Sequence, residues 1–256
     1  MPDPDGDIPL ASMTPERIAG AVAARYSSVA TSPTLQHGFP VGRFFAEDVG
    51  YPANLLDWAP AVVVDSFTGA GNPRPHIGAS AGDVVLDLGC GAGLDALATA
   101  REVGPDGSVV GLDFSEAMID LAGRGAEESG LGNVSFVCAD AARTPFADAS
   151  FDLITFNGIL NLSPDKDAIL REIVRVLRPG GRLVFAEIVL EHEIEGAGPS
   201  TLDDWFRCIG GAETTGALLE RISRCGLSHV RTLALNRNAR TGHEASRCGV
   251  FEALAG

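Results

Sequence analysis

The chain has 256 residues, 45% of them hydrophobic, which is enough to bury one large core. A formal net charge of −15 repels a phosphate backbone, so nucleic acid is not expected as a partner. No apolar run approaches the ~20 residues of a membrane span, and five cysteines without a C-x-x-C pair speak against a disulfide framework or zinc finger and for a reducing, cytoplasmic setting.

Met1-Pro2-Asp3-Pro4-Asp5-Gly6-Asp7 is acidic and rich in Pro and Gly, with neither the basic nor the apolar region of a signal peptide. Residues 1–13 are expected to be a disordered tail. Thr14-Pro15-Glu16 then reads as a helix start: a cap, a proline at the first position and an acid at the positive dipole end. That helix should run to about Tyr26. Residues 27–81 are punctuated by Pro and Gly, with short helices expected over Ala53–Trp58 and Pro60–Ser66. The stretch 14–81 is expected to form a helical lid.

From Asp83 strands and helices alternate, the pattern of a parallel sheet covered on both faces. Strands are expected at 84–88, 108–113, 134–138, 151–156 and 182–189, and helices at 93–103, 115–128 and from Ser163-Pro164 to about Leu177. Ser115 and Ser163 are the expected caps. An amphipathic piece at Leu202–Ile209 and a helix at Gly216–Cys225 follow. Strands at His229–Leu235 and Ser246–Leu254, joined near Arg237–Gly242, suggest a hairpin with an antiparallel edge strand. Cys90 and Cys138 fall at expected core positions. The residues alone give a doubly wound α/β domain over 82–256, with an insertion at 190–214.

The chemistry concentrates at Val84-Val85-Leu86-Asp87-Leu88-Gly89-Cys90-Gly91-Ala92-Gly93. A buried strand feeds a helix through a glycine turn, which leaves free backbone N–H groups beside a positive dipole end. Glycines also let a ligand approach the backbone closely. The loop is one residue shorter than the dinucleotide fingerprint, and Asp87 repels a phosphate but attracts an ammonium. Asp113, 20 residues after Gly93, closes the second strand where an acid meets ribose hydroxyls. An amino acid joined to a nucleoside satisfies all three features, and S-adenosylmethionine is such a molecule.

These residues resemble motif I and the acidic second-strand tip of class I S-adenosylmethionine-dependent methyltransferases. Gly69-Ala70-Gly71-Asn72-Pro73, Val103-Gly104-Pro105-Asp106-Gly107, Asn161-Leu162-Ser163-Pro164-Asp165-Lys166, Arg178-Pro179-Gly180-Gly181 and Trp205-Phe206-Arg207-Cys208-Ile209-Gly210-Gly211-Ala212 are similar, in order, to stretches of arsenite methyltransferases. The resemblance implies a mostly parallel seven-stranded sheet, a Rossmann-like methyltransferase fold, under an N-terminal helical lid. That family holds trivalent arsenic with three cysteine thiolates. Here Ala70 and Gly158 stand at two of those positions, and Cys208 keeps the third.

As the resemblance implies, Asp87, Gly89, Cys90, Gly91 and Gly93 frame the methionine part of S-adenosylmethionine and Asp113 takes the ribose. Phe114 and Met118 border the adenine, with Asp140 and the Ala141 amide at its amino group. Asn157, Gly158 and Leu162 lie by the sulfonium. Methyl transfer from a sulfonium needs alignment and exclusion of water, and a base only where the acceptor carries a proton to lose. Glu187 and then His192 are the candidate bases, and no metal-ligand cluster is evident. Tyr26, Phe39, Arg43, Trp205 and Cys208 are the expected lining for a small-molecule acceptor, either organic (through O, N, C or S) or arsenite held by Cys208 with an added thiol.

Overall fold

The structure, a computed structural model, describes residues 12–194, 201–238 and 240–256. Residues 1–11 of the expected tail, 195–200 of the expected insertion and Ala239 of the expected connection lie outside the described residues.

Seven strands form one sheet: β1 (Val84–Leu88), β2 (Ser108–Asp113), β3 (Val134–Cys138), β4 (Phe151–Asn157), β5 (Leu177–Leu190), β6 (Leu227–Arg237) and β7 (Ser246–Ala255). Their order is β3-β2-β1-β4-β5-β7-β6. β1 pairs in parallel with β2 (Leu86 opposite Val110) and with β4 (Leu86 opposite Ile154). Chain order therefore reverses between β1 and β4, and open α/β sheets bind ligands beyond the strand ends at such a point. β7 runs antiparallel to both β5 and β6. The expected hairpin is present, and β7 is the strand that runs against the rest of the sheet. It is inserted between its neighbours, and β6 forms the rim. The reason is burial: nearly every residue of β7 is enclosed, whereas β6 is half exposed.

Ten helices are described: α1 (Pro15–Thr31), α2 (Arg43–Asp48), α3 (Ala53–Trp58), α4 (Ala61–Asp65), α5 (Arg74–Ile77), α6 (Leu94–Val103), α7 (Glu116–Ser129), α8 (Lys166–Val176), α9 (Leu202–Phe206) and α10 (Thr215–Arg224). α1 starts as expected, with Thr14 accepting from the Arg17 N–H and Pro15 in the first turn, but continues to Thr31. Ile18, Val22, Val29 and Ala30 supply its buried stripe. α2 and α5 arise in the stretch read as irregular. α8 starts later than expected: Asp165, not Ser163, accepts the Ala168 N–H (2.9 Å). Ser163 precedes Pro164 and is extended, as residues before proline are. β5 begins at Leu177 rather than Arg182, because Leu177 already pairs with Phe151 before the register shifts.

The sheet separates two apolar layers. One face packs on α8 and α10 through Ile169, Leu170, Ile173, Leu218 and Ile222. The other joins the N-terminal helices to α6 and α7 through Val22, Phe45, Val63, Leu94, Leu97 and Met118. Cys138 departs from its expected core position: β3 is an edge strand and the thiol is exposed.

Candidate functional site

A cavity of about 510 Å³ opens at the carboxyl ends of β1 and β4, roofed by Ala19, Val22, Ala23 and Tyr26 of α1. Its size suits a small ligand. Of the expected donor residues, Asp87, Gly89, Cys90, Gly91, Asp113, Phe114, Met118, Asp140, Ala141, Asn157, Gly158 and Leu162 all line it. Gly93 does not. A Cβ there would meet Ala122 and Phe136 at 3.1 Å, so this glycine lets α7 and β3 pack against the turn. Gly91, at φ 54°, has nothing within 4 Å of a Cβ position, which leaves its backbone open to a ligand.

The strongest electrostatic feature is a buried pair of acids. Asp87 is 3% exposed and its Oδ2 has no hydrogen-bond partner. Burial first, then the Asp95 charge, holds its carboxyl well above the ordinary range. Asp95, at the start of α6, accepts from the Tyr51 hydroxyl (2.7 Å) through Oδ2, while its Oδ1 is also unpartnered. Arg74 approaches Asp95 at 3.9 Å but spends its other nitrogens on the Asp95 carbonyl, Thr99 and Glu102. Unpaired carboxylate oxygens in a closed space suit a cationic ligand group. Sequence reasoning missed Asp95, Tyr51 and Arg74. An acid in the first turn after the glycine loop was the available signal, but helix starts favour acids anyway.

Asp113 accepts from Gly91 N–H through Oδ2 and from Ser115 N–H through Oδ1, both at 2.9 Å. Burial pushes its pKa up to about 6. Asp140 caps its own turn, with the Ala142 N–H donating to Oδ1 (2.8 Å). Asn157 acts as a latch. Its Oδ1 accepts from Ala70 N–H (2.8 Å) and Gly71 N–H (3.1 Å), and its Nδ2 donates to Gly71 carbonyl (2.8 Å) and Tyr51 hydroxyl (3.2 Å). The glycine-rich loop before β1 is thus tied to the tip of β4.

The residues fit S-adenosylmethionine. The orphaned Asp87 oxygen matches an ammonium, the open backbone at Gly91 permits close approach, and Asp113, Phe114 and Met118 follow one another along the same wall.

Several expected catalytic and acceptor residues stand elsewhere. Glu187 is fully buried, not at the strand tip facing the cavity. It accepts from the Leu160 N–H (2.8 Å), Asn161 Nδ2 (3.1 Å) and Ile188 N–H (2.9 Å), and burial raises its pKa. With Lys166, which donates to Asn161 Oδ1 (2.9 Å), it fixes the 3-10 turn Leu160–Leu162. That role occupies its lone pairs, and Glu187 does not line the cavity. His192 is exposed and contacts the Glu193 carbonyl, away from the cavity. Arg43 pairs with Glu47 (2.8 Å) and Asp57 (2.7 Å) on another surface. Phe39 lies one layer back, stacked on Tyr26 at 5.9 Å. Trp205 does not line the cavity but donates to the Leu162 carbonyl (3.0 Å). Cys208 is buried among apolar residues, and burial pushes its thiol up to about 11. Only Tyr26, of the expected acceptor residues, lines the cavity. Cys90 lines it too, rather than serving only as core.

A family model described as a methyltransferase domain matches residues 79–227. An arsenite methyltransferase of Halobacterium salinarum is 31% identical over 247 residues, 88% of this chain and 61% of that protein. A demethylmenaquinone methyltransferase of Lactobacillus johnsonii is 43% identical over 108 residues, 42% of this chain and 44% of its own length. The chain thus spans less than two thirds of these relatives. The crystal structure of an arsenic(III) S-adenosylmethionine methyltransferase from Chlamydomonas reinhardtii is 26% identical, covering 84% of this chain and 74% of that one, with a TM-score of 0.57.

Proposed function

The chain belongs to the methyltransferase-domain family, and from that premise we propose that it is an S-adenosylmethionine-dependent methyltransferase acting on a small organic acceptor. The observation that carries the donor reading is the unpartnered Asp87 oxygen beside the glycine turn, with Asp113 at the next strand tip. When bound, S-adenosylmethionine supplies a methyl group already activated on a sulfonium. Asp87 holds the ammonium and Gly91 admits the backbone-hugging part of the ligand. Asp113 orients the ribose, and Phe114, Met118, Asp140 and the Ala141 amide border the adenine. Asn157, Gly158 and Leu162 shape the sulfonium end. α1 keeps water out, which leaves alignment as the protein's main contribution to rate.

No lysine, histidine, arginine or glutamate lines the described cavity. The proposed chemistry therefore uses no general base from Glu187 or His192. An acceptor that arrives deprotonated, or whose proton leaves to solvent after transfer, suits this site. The five free cysteines fit a cytoplasmic location. Among the described residues no helix is long and apolar enough to cross a membrane.

Arsenite is the second reading, favoured by the Halobacterium and Chlamydomonas relatives. Against it, Ala70 and Gly158 supply no thiol at two of the three positions. Cys208 is also protonated at neutral pH, whereas a soft metalloid needs thiolates. The deciding experiment measures methyl transfer from labelled S-adenosylmethionine to arsenite with glutathione, and separately to a set of organic acids and phenols. Methylated arsenic would overturn the organic reading. Failure of the folded protein to bind S-adenosylmethionine at millimolar concentration would overturn the donor reading itself.

A further inference from the structure

Arg240 is a buried cation that no carboxylate among the described residues contacts. The residue is 4% exposed. Its Nη1 donates to Thr68 Oγ1 (2.5 Å) and the Gly69 carbonyl (3.2 Å), and its Nη2 to Tyr26 Oη (3.1 Å) and the Phe206 carbonyl (3.0 Å). The guanidinium lies over the Phe39 ring at 4.3 Å, and its Nε is buried with no partner. Every hydrogen-bond partner is neutral, and no carboxylate among the described residues forms an ion pair with it. Cys208 and Tyr26 do not balance it, since burial raises both of their pKa values and keeps both protonated. Glu187 is near enough to be felt, but its oxygens accept from Leu160, Asn161 and Ile188, and it makes no ion pair with Arg240. A buried charge left uncompensated is costly, so its retention points to a counter-ion that arrives with a ligand.

Tyr26 connects that charge to the cavity. Its hydroxyl oxygen accepts from Arg240, so its own hydrogen is free, and no described group accepts it. The Tyr26 ring lines the cavity between Phe39 and Phe114, and Thr68, the other hydroxyl bound by Arg240, lines the same wall. A hydroxyl that accepts from a cation is a stronger donor to an anion.

We propose that Tyr26 and Arg240 form a carboxylate-reading corner of the cavity: Tyr26 donates its free hydrogen to an anionic oxygen of the bound small molecule, and Arg240 supplies the compensating charge from one hydrogen bond behind. This deepens the methyltransferase reading and rests on it. The anionic oxygen has two possible sources, the carboxylate of the methyl donor or that of an organic-acid acceptor.

Calorimetric titration of wild type, Tyr26→Phe and Arg240→Met separates them. S-adenosylhomocysteine carries the donor's carboxylate, and methylthioadenosine carries only its nucleoside half. If the donor is read, Tyr26→Phe weakens S-adenosylhomocysteine about 10- to 150-fold, the value of one hydrogen bond to a charged group, and leaves methylthioadenosine in place. If the acceptor is read, wild type saturated with S-adenosylhomocysteine binds benzoate and phenylacetate over benzamide and phenylacetamide. Tyr26→Phe then erases that preference. Arg240→Met moves the same readout in the same direction, and Tyr26→Phe, which keeps the buried ring, carries the test should Arg240→Met misfold. The proposal is overturned if Tyr26→Phe leaves the ratio of the two nucleoside affinities unchanged and wild type binds acids and amides alike. Absence of binding by both nucleosides would instead remove the donor-site reading, and this proposal with it.

Discussion

Replacing Asp87 with Asn separates what this side chain does for the fold from what it does for the ligand, because the two effects have opposite signs. In the free protein the Asp87 carboxyl is held well above its ordinary value of 3.8, by burial and by Asp95. The folded chain therefore keeps a proton that the unfolded chain releases, and stability falls as pH rises from about 4 through the folded pKa. Asn keeps the shape without the charge. At pH 7 free Asp87→Asn should be more stable than the wild type and melt at a higher temperature, with the gain vanishing near pH 4. Binding should move the other way. The charge-assisted bond from the unpartnered Oδ2 to an ammonium is worth ~1.5–3 kcal/mol, so S-adenosylhomocysteine should bind about 10- to 150-fold more weakly. Melting scans from pH 4 to 8 without ligand, paired with titration calorimetry, read both numbers from one preparation. A lower melting temperature at pH 7, or an unchanged dissociation constant, would refute the account of Asp87 as a destabilising residue kept for its ligand.

Three further outcomes follow from the geometry. Ribose hydroxyls donate to the ionised Asp113, whose pKa burial raises to about 6, so affinity for S-adenosylhomocysteine should drop as pH falls through 6. Asp113→Asn should bind weakly at every pH and lose that component of the titration. A Cβ at Gly71 would stand 2.0 Å from Cys248 Sγ, so Gly71→Ala should cost about 1–3 kcal/mol and Cys248→Ala should recover part of it in a double-mutant cycle. Additive effects would show that the two positions do not touch. Glu187→Gln leaves the Leu160, Asn161 and Ile188 donors facing a neutral amide, so chemical denaturation should show a loss of about 1–3 kcal/mol without any substrate present. A stable Glu187→Gln protein that has lost turnover would instead revive the general base.

The sheet was legible because its strands are short apolar runs bounded by Gly, Pro and Asp, and periodicity alone marks such runs. Their order was legible only in part. Whether β7 lies at the rim or between two strands depends on burial across three strands, which one strand's pattern does not encode. In the site, the glycine turn, Asp87 and Asp113 were readable because their spacing along one strand–turn–helix unit fixes where they meet. Glu187 misled for a local reason: strand alternation gives a face but not depth, and the Leu160–Leu162 turn that covers it is 25 or more residues away in the chain. Arg43 misled because Glu47, one helical turn on, and Asp57 capture it. Tyr51, Arg74 and Arg240 were invisible because their partners, Asp95, Thr99 and Tyr26, are 21 or more positions away in sequence.

The insertion of β7 between β5 and β6 also dictates a schedule for synthesis. β5 ends at Leu190 and its antiparallel partner begins at Ser246. At ribosomal speeds of about 5–20 residues per second, those intervening residues take roughly 3 to 11 s to emerge. Throughout that interval β5, whose residues from Leu183 to Leu190 end up buried, presents one unpaired edge. Part of the apolar cluster that includes α10 waits with it, since Phe251, Ala253 and Ala255 arrive only with β7. The nascent chain is therefore most prone to self-association after the ligand-binding half has formed and before the sheet is complete. Expression at low temperature, or with a chaperone that shields strand edges, acts on that window rather than on the finished fold.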